Sequence, residues 1–257
     1  MAADNDSSDI DGPGARFPLD SSPFPPPSST VHVEFGAHSS RGQTATINDD
    51  HYLIVRLGRY QETILTSLPD GAIPKRFDEY GYAMVVADGL GQAGTGEVAS
   101  RLAVETLMHL VLHFGKWNLR IDERIAQEVM DRAESFYRHV DATVIQQSRT
   151  GPVPDLQTTL TAVFGAGRDL FFAHVGHSRA YLFRDGELMR LTRDHTIGRG
   201  HRTTVPVGPL VDVNAFARDL GHILTNTIGR AGGSDRQSIS SASSLPTATS
   251  CSCVPTV

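Results

Sequence analysis

Cysteine is nearly absent: Cys251 and Cys253 are the only two in 257 residues. That excludes a disulfide framework and a cysteine-rich zinc site. No apolar run is long enough to read as a membrane-crossing helix, so no membrane partner is expected. Lys and Arg total 23 against 29 Asp and Glu, a net charge of −6 with no strongly basic block. Nucleic acid is therefore not an expected partner. The N-terminus is acidic and polar, unlike a secretory leader. A cytoplasmic, reducing setting is expected, and nothing in the residues bears on oligomeric state.

Both ends lack the apolar content of a packed core. Residues 1–30 are rich in Asp, Ser and Pro, and residues 234–257 in Ser and Thr. Each is predicted to be disordered, because it cannot bury enough apolar surface to offset its ordering entropy. A folded domain is expected over residues 31–233.

What is present is organised around residues 81–107. Ala83 to Ala87 read as a short buried strand, which stops at Asp88-Gly89. Gly91, Gly94 and Gly96 follow, and a helix opens behind Thr95 as a predicted N-cap. Val98, Ala99, Leu102, Ala103, Leu107, Leu110 and Val111 give it a wide apolar stripe. A carboxylate ending a buried strand, beside a glycine that lets backbone approach, suits a hard cation. Asp-Gly is also an ordinary turn signal. Gly89 to Gly94 match dinucleotide-binding spacing too, but alternating βαβ units are missing. No Gly-Lys-Ser/Thr follows, which excludes a P-loop.

Upstream, residues 31–35 alternate as a first strand, and Asn48-Asp49-Asp50 precede a second at 51–55. Adjacent carboxylates at a strand mouth point to opposite faces. One could reach a metal while the other sits behind it or faces solvent. Residues 56–80 are polar and read as irregular, with a turn at Pro69-Asp70-Gly71. Ile121, Ile125, Val129, Ala133, Phe136, Val140 and Val144 keep helical spacing until Gly151-Pro152 breaks it. A meander follows, with strands at 158–164, 169–175, 179–184 and 187–192. Turns fall at 165–168 and 176–178, and Asp185-Gly186 makes a tight hairpin. Helices early and hairpins late predict an α+β fold. His174 and His177 are three residues apart on a strand, hence on opposite faces, and read as structural.

Together these pieces resemble the metal-dependent protein phosphatases of type 2C (PPM), in a bacterial form. Asn48-Asp49-Asp50, Val86 to Gly91, Thr158-Thr159-Leu160, Val175 to Tyr181 with Leu191 to His195, and His222 to Asn226 carry the match in the family's order. The resemblance implies a four-layer αββα sandwich of two antiparallel sheets flanked by helices, incomplete at the C-terminus. It implies two Mg²⁺ or Mn²⁺ ions as cofactors, with Asp88 bridging them, the Gly89 carbonyl ligating one, Asp50 joining the cluster and Asp49 supporting it. The implied partner is a phosphorylated protein. Its phosphoserine or phosphothreonine would be hydrolysed by a metal-activated water, making Asp50 and Asp88 the catalytic residues.

Four departures from the family pattern stand out. His177 takes the place of an aspartate. Ala45 takes that of a phosphate-binding arginine, for which nearby Arg41 is the substitute candidate. Leu90 follows Asp88-Gly89 where some members place a histidine. After Ile228-Gly229-Arg230 the expected Asp-Gly and Asp-Asn ligands do not follow, and the tail reads as a truncation or shifted frame. Impaired catalysis is therefore expected, with a phosphoprotein-binding pseudophosphatase as the alternative.

Overall fold

The computed structural model describes residues 26–43, 46–91, 94–116, 119–196, 224–230 and 250–254. The expected disorder of 1–25, 234–249 and 255–257, the Ala45 position and the 222–223 part of the last motif lie outside the described residues. Five strands form the larger sheet. β1 (Asp50–Glu62) pairs with β2 (Arg76–Leu90), whose other side takes β3 (Gln157–Thr158) and β4 (Leu160–Ala166); β5 (Asp169–Val175) follows β4. All pairings are antiparallel. A smaller sheet sets β6 (Arg179–Arg184) between β7 (Glu187–Arg190) and β8 (Ser250–Val254).

Two helices, α1 (Thr95–Phe114) and α2 (Glu123–Thr150), cover one face of the larger sheet. Val85 and Ala87 of β2 pack there against Ala99, Ala103 and Leu107 of α1 and Val140 and Val144 of α2. On the opposite face Met84, Val163 and Phe172 meet Ala180 of β6 and Leu191. Alternation along β2 thus sends successive residues into two different cores. The architecture is α+β with two antiparallel sheets, and three layers of the expected sandwich are formed by the described residues.

Several boundaries differ from expectation. Residues 31–35 form no strand among the described residues; they are mostly exposed, with the Phe35 ring 5.0 Å from that of Tyr82. Residues 56–62 and 76–80 are strand rather than irregular. They form the outer part of the β1–β2 hairpin, where Glu79, fully buried, pairs with Arg59 and Arg120. Their polar composition reflects ion pairs within the hairpin, while the turn at Pro69 to Ala72 forms as expected. The 158–164 strand is interrupted at Thr159, the 165–168 turn narrows to Gly167-Arg168, and the 187–192 strand ends at Arg190. β5, β6 and the Asp185-Gly186 turn stand where the spacing put them, with positive φ at both turn residues (53° and 83°).

The disorder expected over 234–257 does not hold for Ser250–Val254, which pair along β6 from Phe183 to Arg179. Serine content argued against a strand, yet the ladder satisfies backbone groups of β6 that an open edge would leave unpaired.

Candidate metal centre

The β1–β2 register places Asp50 directly opposite Asp88. Facing residues of an antiparallel pair project from the same side, so the two carboxylates are brought together. Asp88 is buried, about 9 % exposed, and its Oδ2 has no hydrogen-bond partner. Burial, then the Asp50 carboxyl, then Asp49, push the Asp88 carboxyl up to about 7. Burial and the Asp49 charge raise Asp50 as well. Two acids forced together out of water cannot both ionise without a compensating cation.

Asp49 faces the other way, as alternation requires. Its Oδ1 accepts from the Glu97 amide at 3.1 Å, in the first turn of α1. The expected Thr95 cap is not found: Thr95 is already helical, Gly94 precedes it with φ 90°, and Asp49 supplies the carboxylate that the helix N-terminus favours. Asp49 Oδ1 thus helps to position α1, while Asp50 and Asp88 face one another. The Asp49 carbonyl accepts from the Gly89 amide at 3.1 Å and from Ser100 Oγ at 2.6 Å. His51 Nδ1 lies 2.9 Å from the same hydroxyl.

Gly89 allows this closeness. A Cβ there would lie 2.1 Å from the Gly96 carbonyl oxygen and 2.6 Å from that of Asp49, so only glycine lets the first turn of α1 rest on β2. On its other side the Asp88 backbone is fixed by the threonine pair. Its amide donates to Thr159 Oγ1 at 3.1 Å, and its carbonyl accepts from the Thr159 amide and Thr158 Oγ1, both at 2.9 Å. Thr159 Oγ1 in turn lies 2.8 Å from Ser178 Oγ. Residue-type reasoning gave Thr158, Thr159 and Ser178 no role; their clustering in one motif order was the available signal.

His177 was read as structural, but its Nδ1 stands 3.6 Å from Asp88 Oδ2. It lies past the end of β5, on a bend at Gly176 (φ 114°), so the strand face rule does not govern it. His174 is structural as expected: fully buried, with Nδ1 2.7 Å from Thr161 Oγ1 and Nε2 3.1 Å from the Gly176 carbonyl. Arg41 is exposed, and no ion pair links it to the acidic pair among the described residues.

The donor set fits a hard divalent cation. Carboxylate and carbonyl oxygens suit Mg²⁺ and Mn²⁺, and the partnerless buried Oδ2 is an atom that a cation would satisfy. Among the described residues no three His, Cys, Asp or Glu side chains gather closely enough to hold an ion by themselves. The acids therefore contribute pairwise, leaving other positions to backbone oxygen and water.

Comparison with known proteins agrees with this geometry. Residues 71–205, just over half of the chain, match the family profile described as Protein phosphatase 2C. The serine/threonine protein phosphatase PstP of Mycobacterium tuberculosis is 34 % identical over 114 residues, covering 44 % of this chain and 20 % of that protein. The serine/threonine phosphatase stp of Listeria monocytogenes is 30 % identical over 115 residues, 44 % of this chain and 43 % of its own. In both cases the matched stretch spans less than half of the relative's length. In fold, the S. agalactiae serine/threonine phosphatase superposes with a TM-score of 0.53 at 21 % identity, over 84 % of this chain and 72 % of that one. A profile match across strand β2, its Asp88-Gly89 and the Thr158-Thr159 clamp makes this chain a member of the protein phosphatase 2C family.

Proposed function

We propose that the chain is a metal-dependent protein serine/threonine phosphatase, hydrolysing phosphoserine and phosphothreonine on protein substrates in a cytoplasmic setting. The observation that carries the reading is the register-opposed pair Asp50 and Asp88, with a buried Oδ2 lacking a hydrogen-bond partner, in a chain of this family. Two Mg²⁺ or Mn²⁺ ions are the proposed cofactors, held by Asp50, Asp88 and the Gly89 carbonyl. Divalent ions bound at such a centre lower the pKa of water towards 7 and offset charge at phosphorus.

The chain's own residues hold that centre together. Asp88 is held at its backbone by Thr158 and Thr159, so its carboxylate keeps its place beside Asp50. Asp49 ties the mouth of β1 to α1 without spending its carboxylate on the substrate side. Arg41, exposed ahead of β1, is the proposed phosphate contact. In the net reaction the water oxygen bonds to phosphorus, the ester P–O bond breaks, and the departing serine or threonine oxygen gains a proton; no residue becomes esterified.

Hydrolysis of an aryl phosphate and of a phosphothreonyl peptide with Mn²⁺, comparing the wild type with Asp88→Asn, tests this. Turnover is expected to fall by roughly a thousandfold, about 4 kcal/mol of transition-state stabilisation. Equal turnover in the two proteins, or none in the wild type, would overturn the reading.

A further inference from the structure

We infer that His177 and Asp88 form a mixed nitrogen–oxygen metal subsite, which takes a transition-metal dication such as Zn²⁺ or Mn²⁺ in preference to Mg²⁺. The inference rests on the metal-centre reading above and concerns which cation the centre selects.

The geometry is that of two ligands of one ion rather than of a hydrogen-bonded pair. His177 Nδ1 and Asp88 Oδ2 are 3.6 Å apart, beyond the range of a nitrogen–oxygen hydrogen bond. Their side chains are only 17 % and 12 % exposed, and Oδ2 has no hydrogen-bond partner. Donors at that separation, each about 2.1 Å from a shared ion, would subtend roughly 120°. A tetrahedral site needs only a few tenths of an ångström of closure from there. An octahedral one at about 90° needs roughly 0.6 Å, and Mg²⁺ insists on octahedral geometry.

Donor chemistry points the same way. Imidazole nitrogen suits zinc and other first-row transition metals, whereas magnesium is served by oxygen and water. Asp50 faces Asp88 across the β1–β2 register, and His177 is the group 3.6 Å from Oδ2. The imidazole therefore adds a second, chemically distinct position to the carboxylate pair.

His177 is held firmly enough to act this way. Gly176, just before it, has its carbonyl bonded by the His195 amide at 2.8 Å and by His174 Nε2 at 3.1 Å. A Cβ on Gly176 would strike Thr159 at 2.5 Å, so the bend sits against the same threonine that fixes the Asp88 backbone. Imidazole and carboxylate thus share one support.

The test loads the full chain with Mn²⁺ and records pulsed electron paramagnetic resonance for the wild type, His177→Ala and His177→Asp. Calorimetry measures Zn²⁺ and Mg²⁺ affinity on the same samples, and a cooperative thermal transition checks that each variant is folded. Modulation from a directly bound ¹⁴N is expected in the wild type and absent from both variants. Zn²⁺ affinity should fall at least about tenfold in His177→Ala, and Mg²⁺ affinity should rise in His177→Asp. Bound Mn²⁺ with no ¹⁴N modulation, or Zn²⁺ affinity unchanged in His177→Ala, overturns the subsite while leaving the carboxylate centre standing. No binding in the wild type but binding in His177→Asp also overturns it, since the imidazole would then exclude the ion. Absence of binding in all three proteins removes the metal centre itself.

Discussion

Two polar clusters lie close together in this fold, and they are built on opposite principles. Around His174 every polar atom is answered: Thr161 holds one ring nitrogen and the Gly176 carbonyl the other, while burial and the neighbouring His195 lower the imidazole to about 4 and keep it neutral. Around Asp88 the backbone is equally well held, but the carboxylate is left facing another acid, with one oxygen unanswered and its pKa raised to about 7. The first cluster is complete as it stands and belongs to the architecture. The second is complete only with a cation. Unmet demand, more than polarity or burial, is what separates the site from the scaffold.

Substitutions should break this contrast to different degrees. Removing the His174 ring by His174→Ala leaves Thr161 Oγ1 buried without its partner and opens a cavity; a loss of about 3–4 kcal/mol is expected in urea unfolding. A loss under 1 kcal/mol would mean that the cluster is not structural.

Acid should reach the same cluster without a mutation. The folded pKa of His174 is depressed, so its neutral form contributes stability that is fully present above the unfolded value near 6.5. That contribution is lost as pH falls through about 4. Up to about 3 kcal/mol should disappear across this window, and His174→Phe should flatten the slope.

At the other cluster the sign reverses. The folded pKa of Asp88 is raised, so the stability tied to its protonated form is present below the unfolded value near 4 and lost as pH rises through about 7. Without divalent cations, Asp88→Asn should therefore raise stability at pH 8 by about 1–2 kcal/mol and change little at pH 4. Adding Mn²⁺ should stabilise the wild type and not the variant, as thermal melts would register; a variant stabilised equally by Mn²⁺ would break the contrast. The smallest effect should come from Asp49→Ala, which removes the α1 cap at a cost of about 1 kcal/mol in the same melts.

Sequence reading recovered the parts of this arrangement that rest on local chemistry. The Asp185-Gly186 turn was legible because both residues adopt positive φ, which few residue pairs tolerate. The buried run before Asp88 was legible because β2 is covered on both faces. What escaped depended on partners distant in the chain. Residues 56–62 and 76–80 read as irregular because their charges find one another only across the hairpin, as Arg59 finds Glu79. Asp49 read as the support behind the cluster, but nothing local names the amide of Glu97 as the group it holds. His177 read both as part of the 176–178 turn and as a strand-face residue; the turn is what forms, and it sets Nδ1 3.6 Å from Asp88 Oδ2.

The carbonyl of Asp49 carries one last lesson. It is gripped from two sides, by the Gly89 amide of β2 and by the Ser100 hydroxyl of α1. With that peptide immobilised, Asp50 cannot drift away from Asp88 to relieve their mutual repulsion. The ordering that a charged visitor would otherwise have to impose has been done in advance by folding, so little affinity is lost to rearrangement on arrival.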